Sequence, residues 1–323
     1  MNLSQIRQDA TKRLQQDQGG FSRLVFIHTA ITVGASLLLL LISWLSTSLT
    51  PGGGLSNMAS QDMLSTIQTM LQFAIAILSP IWEASLIFCA LRLIRDQEYT
   101  TRDLTAGFRR WGAILGSLIL RGLIYFGFSM ACYFATSILV SFVPIPASVQ
   151  KDLLAFVEAP AFPMAASLYY FVAVIGIIFA INLCLVLIPR VYLHRLVEYR
   201  IMDQSTCGGL QAILQSRILM KGHRRKLFLL DLSFWWYYLL EGAIAAFSLS
   251  YLFIPDLGMS LEIATWVFTL TSLLAQLALY YYAKPKLAIS YALFYQNIFD
   301  ESTKLPEPPQ PQPLPEQPEN TEE

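Results

Sequence analysis

Charged side chains are scarce in this chain of 323 residues. They make up 14% of the sequence, whereas a soluble domain usually carries about a quarter, and this argues against an ordinary water-soluble fold. The 22 basic residues are balanced by 22 acidic ones, so the chain lacks the positive excess that is typical of nucleic-acid binding. We therefore expect no nucleic-acid partner.

Motifs that carry chemistry are missing as well. The sequence contains no G-x-S-x-G, H-E-x-x-H or C-x-x-C motif and no phosphate-binding loop. Only four cysteines are present, and their spacing does not suggest a metal site. We expect that the protein is not an enzyme and that it carries no cofactor and no metal ion.

Long apolar runs are what the sequence has instead, and apolar residues make up 55% of it. An α-helix needs about 20 consecutive apolar residues to cross a hydrocarbon core of about 30 Å. Six segments meet this requirement, at 24–49, 67–94, 112–142, 162–188, 227–253 and 263–283. We predict an all-α fold, a polytopic bundle of six transmembrane helices. Pro80 removes one backbone donor from the second segment, which favours one kinked span; a re-entrant helix pair is the alternative.

Basic residues indicate the orientation of these spans. All of the 22 lysines and arginines except Lys151 and Arg121 fall on one side of a six-span arrangement. Cytoplasmic loops of membrane proteins carry an excess of Lys and Arg. The sequence therefore predicts a multi-pass protein of the cell membrane with both termini in the cytoplasm.

The chain divides into three regions. Residues 1–23 form a cytoplasmic segment whose apolar residues recur at helical spacing and predict an amphipathic helix on the membrane surface: Leu3, Ile6, Ala10 and Leu14. Residues 24–298 hold the six spans and a long cytoplasmic connection, 189–226. Residues 299–323 are rich in proline and glutamate, which predicts a disordered tail. The tail is either a solvated terminus or a ligand for a cytoplasmic protein partner.

The connection 189–226 combines an amphipathic helix with a cluster of basic residues. Apolar residues of the predicted helix lie on one face: Leu210, Ile213, Leu214 and Ile218. Gly222 is expected to end that helix, because glycine adopts the left-handed conformation at little cost. The residues around it form what we call the basic cluster: Lys221, His223, Arg224, Arg225 and Lys226. The cluster is either a topology anchor or a contact site for a protein partner or for anionic lipid headgroups. Each basic charge near an anionic membrane surface contributes about 1 kcal/mol to binding.

Ionisable residues within the predicted spans are costly and are functional candidates. There are four of them: Glu83, Arg121, Asp231 and Glu241. Counted at 1.5 Å per residue from the nearest cytoplasmic arginines, Glu83 and Arg121 lie roughly 18 and 16 Å deep, so we predict an ion pair between them. That pair either fixes helix packing or belongs to a polar cavity that holds a solute or relays protons. Asp231 can reach the basic cluster, Glu241 has no obvious partner, and the Trp235-Trp236 pair falls near mid-span.

Residues 216–236 resemble the hallmark of a known family. The resemblance rests on Ser216, the run Met220-Lys221-Gly222-His223, Phe228, the run Leu230-Asp231-Leu232-Ser233-Phe234, and Trp236. It extends to Arg7, Ala10, Leu14 and the pair Phe294-Tyr295. The chain is similar to a family of integral membrane proteins of Gram-positive bacteria, domain of unknown function 975, although Asp203-Gln204-Ser205 departs from the acidic-Asn-Pro sequence usual there. The resemblance implies a polytopic plasma-membrane protein and supplies no mechanism.

Two functions are compatible with these features. The first is a non-enzymatic multi-pass membrane protein that binds lipid or protein partners through the basic cluster and the tail. The second is a small-solute transporter or permease subunit that uses the intramembrane charges. The two hypotheses differ in whether Glu83, Arg121 and Glu241 line a hydrated path.

Overall fold

The computed structural model describes residues 3–48, 55–142, 150–151, 166–204, 206–249 and 261–303. Within these ranges the chain forms helices and no β-strand. The α-helices, numbered in chain order, are α1 Leu3–Gln16, α2 Gly20–Ser48, α3 Leu55–Ile94, α4 Trp111–Ser141, α5 Ala166–Leu193, α6 Val197–Asp203, α7 Gly209–Leu219, α8 Arg224–Ser233, α9 Trp235–Leu249 and α10 Leu261–Thr303. A 3-10 helix, Thr101–Arg110, precedes α4.

Four of the described helices are long and apolar enough to cross a membrane: α2, α3, α4 and α10. Helices α8 and α9 meet the same test only as a pair, bent by 62°, and count as a fifth span if they are taken together. The all-α prediction is therefore confirmed, with four to five candidate spans. The second predicted span is one continuous helix that contains Pro80, not a re-entrant pair.

Two predicted segments fall partly outside the described residues. The fourth predicted span, 162–188, is described from Ala166 onward, where the chain is helical as α5. Residues 304–323 of the predicted tail are not among the described residues, whereas residues 299–303 continue helix α10 to Thr303. The tail therefore starts later than the sequence suggested.

The fifth predicted span, 227–253, is broken at Phe234, near its start. Helix α8 ends at Ser233, and Phe234, with φ −108° and ψ 21°, turns the chain before α9 begins at Trp235. The side chain of Phe234 is buried in the core, which anchors the break. Trp235 and Trp236 consequently stand at the exposed start of α9, directly after the break.

The buried core lies at one end of the bundle. In α2 the buried side chains fall between Phe21 and Thr29, and in α3 between Ile81 and Ile94. The other described side chains of these two helices are partly or fully exposed, as expected for surfaces that meet lipid tails as apolar as leucine. Helices α1, α6 and α7 and the 3-10 helix gather around this core. We call this end of the bundle the basic end.

Helix α1 packs on protein rather than lying on a membrane surface alone. Its predicted apolar face supplies Ile6 and Ala10 to the core, and the helix rests on α10 and touches α8. Arg13 Nη1 donates to Asp96 Oδ1 at 2.6 Å just beyond the end of α3. The guanidinium of Arg7 lies 5.5 Å from the centre of the Phe234 ring. Helix α1 therefore buries its apolar face against protein, on a surface that α3, α8 and α10 provide.

Asp203, the last residue of α6, ties α3 to α10. Arg95 donates through Nη1 to Asp203 Oδ1 at 2.5 Å, and through Nε and Nη2 to Gln296 Oε1 at 3.0 and 2.9 Å. The hydroxyl of Tyr295 donates to Asp203 Oδ2 at 2.7 Å. The Asp203 side chain is only 8% exposed, and a buried carboxylate is tolerated only when it is paired and hydrogen-bonded. Both of its oxygens are satisfied here.

Two more arginines hold α6 from its other sides. Arg110 Nη1 donates to the backbone carbonyls of Ile201 and Gln204, which satisfies acceptors that the end of a helix leaves open. Arg200 donates to Gln215 Oε1 on α7 at 3.0 and 2.7 Å. Helix α6 has only seven residues, too few to be stable alone, so these contacts maintain it.

Helix α7 packs on α4 through a face different from the predicted one. Ala212, Ile213 and Ser216 are buried, whereas Leu210, Leu214 and Ile218 are exposed. The reason is the close approach at Gly209, where an added Cβ would lie 2.7 Å from the carbonyl oxygen of Ala113 and 2.8 Å from the amide nitrogen of Ser117. Small residues face α4, and the large apolar ones turn outward. Gly222 ends this region with φ +87°, as predicted.

A methyl group at position 209 tests this contact. Gly209→Ala is expected to lower the apparent melting temperature of the detergent-solubilised protein, because overpacking against a backbone costs about 1–3 kcal/mol. Gly208→Ala is the matched control, since φ −76° and ψ 163° suit any residue and nothing lies within 4 Å of the added methyl. Equal melting temperatures for the two variants would contradict the predicted contact.

Candidate functional site

A polar cavity of about 310 Å³ lies at the basic end of the bundle, among α3, α6, α9 and α10. Carboxylates and cations of both signs line it: Glu83, Glu198, Glu241, Arg195 and Lys284. Tyrosines supply most of the remaining polar wall: Tyr199, Tyr237, Tyr238, Tyr280 and Tyr291. We call this space the tyrosine cavity.

Glu83 pairs with Lys284 and not with Arg121. Lys284 Nζ donates to Glu83 Oε2 at 3.2 Å, and His28 Nε2 lies 3.5 Å from the same oxygen. The Glu83 side chain is 49% exposed, so it faces the cavity as well as its partner. Lys284 directly follows the apolar segment 263–283, which places Glu83 level with the end of that segment. Helix α3 continues past this level to Ile94 at the basic end.

Arg121 has a different partner, which the sequence did not indicate. Its Nη2 donates to Glu198 Oε1 at 2.5 Å, and the two side chains are 12% and 23% exposed. Glu198 lies on α6, outside the apolar segments, and lines the tyrosine cavity. The predicted Glu83–Arg121 ion pair is therefore wrong, because a short helix from a distant part of the chain supplies the carboxylate.

Asp231 joins the cavity through tyrosines. Tyr192 donates its hydroxyl to Asp231 Oδ2 at 2.6 Å, and Tyr291 donates to Asp231 Oδ1. The hydroxyls of Tyr291 and Tyr238 are 2.9 Å apart, and the guanidinium of Arg195 lies 5.2 Å from the centre of the Tyr291 ring. This network links α5, α8, α9 and α10, and it places a negative charge one contact away from the cavity wall.

Glu241 lies on the cavity wall and accepts a hydrogen bond of 2.7 Å from the hydroxyl of Tyr280. Gln276 Nε2 donates to the same hydroxyl at 3.1 Å. Within the described ranges no Lys, Arg or His nitrogen comes within 4 Å of the Glu241 carboxylate. Its second oxygen is thus available to a polar group inside the cavity.

All four predicted intramembrane residues converge on this cavity. Glu83 and Glu241 line it, Arg121 holds Glu198 in its wall, and Asp231 holds Tyr291. Carboxylate oxygens, phenol hydroxyls and an ammonium group around one volume can hydrogen-bond a small polar solute from several sides. Among the described residues no group of three His, Cys, Asp or Glu side chains is placed to hold a metal ion.

Sequence reasoning missed the partners in this site. From the sequence, Lys284 only helped to identify the cytoplasmic side of the spans. The Tyr280-Tyr281-Tyr282 run is typical of a membrane interface and so did not indicate a cavity. Glu83 and Lys284 are 201 residues apart, and no periodicity within one helix could have paired them. The run Trp235–Tyr238 was a usable signal, because Tyr237 and Tyr238 do line the cavity.

The basic cluster lies apart from the cavity, at the turn between α7 and α8. Lys221, Arg224 and Arg225 are exposed, and His223 and Lys226 are half-buried. His223 Nδ1 is buried without a hydrogen-bond partner in the described structure. The turn at Gly222 presents the charges of Lys221, Arg224 and Arg225 outward.

His194 is a buried histidine in the turn between α5 and α6. Its Nδ1 is 3.2 Å from the hydroxyl of Tyr125 on α4. Burial and then the positive charges of Arg217, Arg121 and Arg190 lower the pKa of His194 to about 4. The folded protein therefore favours the neutral imidazole at this position.

This shift predicts a loss of stability in acid. The pKa of His194 lies below its ordinary 6.5, so its contribution to folding is complete above pH 6.5 and is lost as the pH falls toward 4. His194→Gln should show a smaller fall in melting temperature between pH 7 and pH 4 than the parent protein. The same carboxylates titrate in both proteins, so they do not cause this difference. Identical pH profiles for the variant and the parent would refute this role.

Comparison with known proteins places the chain in a family. No curated protein and no solved structure matches it. The model of one family, described as Protein of unknown function (DUF975), matches residues 1–302, which include α1, the polar cavity and the basic cluster. The chain therefore belongs to the DUF975 family of proteins of unknown function.

Proposed function

We propose that the chain is a non-enzymatic, six-span protein of the cell membrane, with both termini in the cytoplasm, that binds anionic lipid headgroups or a protein partner at its basic end. Four to five apolar helices and a family without an assigned activity are compatible with this function. The observation that carries the proposal is how the chain uses its cations.

One group of cations is engaged inside the fold. Five lysines and arginines form ion pairs with carboxylates of the same chain: Arg13, Arg92, Arg95, Arg121 and Lys284. Arg110 and Arg200 donate to backbone carbonyls and to side-chain oxygens. Cations with such partners hold helices together, and their charge is already balanced within the fold.

The basic cluster belongs to the other group. In the described part of the chain, no carboxylate oxygen lies within 4 Å of Lys221, Arg224, Arg225 or Lys226. Neighbouring cations without counter-ions repel one another, and an anionic surface relieves that repulsion. The cluster lies at the start of α8, one short helix before the apolar helix α9, where it can meet lipid headgroups. The acidic, Pro-rich tail is a second proposed contact, for a cytoplasmic protein.

Neutralising the cluster tests this function. Arg224→Gln with Arg225→Gln is expected to reduce the fraction of anionic lipid that is extracted with the protein in polymer-bounded membrane discs, because each basic charge near an anionic surface contributes about 1 kcal/mol. Arg102→Gln with Arg109→Gln is the control, since both residues are exposed and lie on the 3-10 helix. Unchanged lipid composition in the cluster variant would contradict the proposal.

A transporter or permease subunit is the second candidate, and the tyrosine cavity favours it. Among the described residues only one oxygen of Glu241 has a hydrogen-bond partner, and Glu83 is half exposed to the cavity beside Lys284. A polar solute could exchange its water for these groups if the cavity is hydrated. This candidate requires water in the cavity, whereas lipid binding at the basic cluster does not.

Cysteine accessibility separates the two candidates. Ala288→Cys, on the cavity wall, is expected to react with a water-soluble thiol reagent if the cavity is hydrated. Ala292→Cys, one turn further along α10 and fully buried, is the control and should stay unreactive. An unreactive cysteine at position 288 in folded protein would exclude the transporter candidate and leave lipid binding.

A further inference from the structure

A second cavity of about 550 Å³ lies at the basic end, between α1, the break between α8 and α9, and α10. We call it the basic groove. Its wall contains three cations and two aromatic rings: Arg7, Lys12, Lys286, Phe234 and Trp236. No carboxylate is among the described residues that line it. It is separate from both the tyrosine cavity and the basic cluster.

The two-faced character of α1 creates this groove. One face carries Ile6 and Ala10 into the core. Arg7 and Thr11, one turn apart, belong to the face that lines the groove. On the opposite wall, Lys286 and Ser290 are likewise one turn apart on α10. The packing that buries the apolar stripe of α1 therefore also points its basic stripe toward Lys286.

The three cations of the groove have no carboxylate partner among the described residues. Arg7, Lys12 and Lys286 are exposed, and in the described ranges no carboxylate oxygen lies within 4 Å of any of them. Arg7 rests on the Phe234 ring, at 5.5 Å from its centre, which positions its guanidinium at the groove wall. Positive charges that line one groove without a carboxylate make it attractive to an anion.

The groove lies where apolar helices meet the basic end. Lys286 follows the apolar segment 263–283 within three residues, and Trp236 is the second residue of α9. Tyr282, one turn from Lys286 toward the apolar segment, is exposed. Leu240 and Phe247 lie on the same face of α9 as Trp236 and are also exposed. From the basic end toward the apolar segments, the protein thus presents cations, then aromatic rings and then apolar side chains. The phosphate and the acyl chains of a phospholipid follow one another in the same direction.

We propose that the basic groove binds one anionic phospholipid, with its phosphate contacting Arg7, Lys12 and Lys286 and its acyl chains lying along the Trp236 face of α9. This inference deepens the proposed function, because it names a lipid site, but it places that site in the groove and not in the basic cluster. The continuous apolar stripe on α9 selects a lipid over a free phosphate ion.

Native mass spectrometry of the full chain in mild detergent tests the site, with phosphatidylglycerol as the anionic probe and phosphatidylcholine as the neutral one. Lys12→Gln with Lys286→Gln is expected to weaken the tightest phosphatidylglycerol adduct about twenty-fivefold, at about fivefold per charge. Arg102→Gln with Arg109→Gln removes the same charge at two exposed positions of the 3-10 helix and should leave that adduct within about twofold. The single variants Lys12→Gln and Lys286→Gln, both at exposed positions, cover the case in which the double variant does not fold.

Three results would overturn the inference. Equal retention of phosphatidylglycerol by the groove variants and the parent would show that the groove does not hold the lipid. Equal affinity for phosphatidylcholine would show that the charges do not select it. Displacement of the adduct by millimolar inorganic phosphate would identify a free anion as the ligand. If lipid binding at the basic cluster is wrong, the Arg224→Gln, Arg225→Gln variant instead keeps the lipid composition of the parent in membrane discs. The two proposals can therefore fail separately.

Discussion

The ion pair between Arg95 and Asp203 is the contact on which the basic end depends. It joins the end of α3 to the end of α6, and Tyr295 and Gln296 extend it to α10. Arg110 and Arg200 then fix the same short helix to the 3-10 helix and to α7. Because breaking a buried pair leaves an uncompensated charge, loss of either partner would release several helices at once. The tyrosine cavity and the surface on which α1 packs both require this arrangement.

Spans that face lipid gain little from packing against each other, because lipid tails are as apolar as their side chains. This explains why the buried residues of α2 and α3 gather at the basic end while the rest of these helices stays exposed. At the basic end, water gives apolar burial its usual driving force, and polar contacts can be directional. The fold therefore concentrates its specific polar contacts at the basic end. Both cavities lie in that same layer.

Much of the architecture could be predicted from local patterns. Apolar runs predicted the helices α2, α3, α4 and α10, and the apolar stripe of α1 identified the face that is buried. Rarity of charge within spans identified Glu83, Arg121, Asp231 and Glu241, which all meet at one cavity. Their partners were not predictable, because depth was counted along each helix while the ends of the helices extend by different lengths past the apolar segments. The break at Phe234 was missed since no proline or glycine marks it.

Hydropathy and charge along the sequence are enough to predict the all-helical character, the candidate spans, the basic cluster beside Gly222 and the four ionisable residues within the spans. These follow from hydropathy and charge, which act over a few turns of one helix. The tertiary structure is needed to see that Lys284 neutralises Glu83 and that Glu198 neutralises Arg121. It is also needed to see that one groove contains Arg7, Lys12 and Lys286. Such pairings depend on how helices distant in sequence are placed against one another, and that placement follows from the packing of the whole basic end.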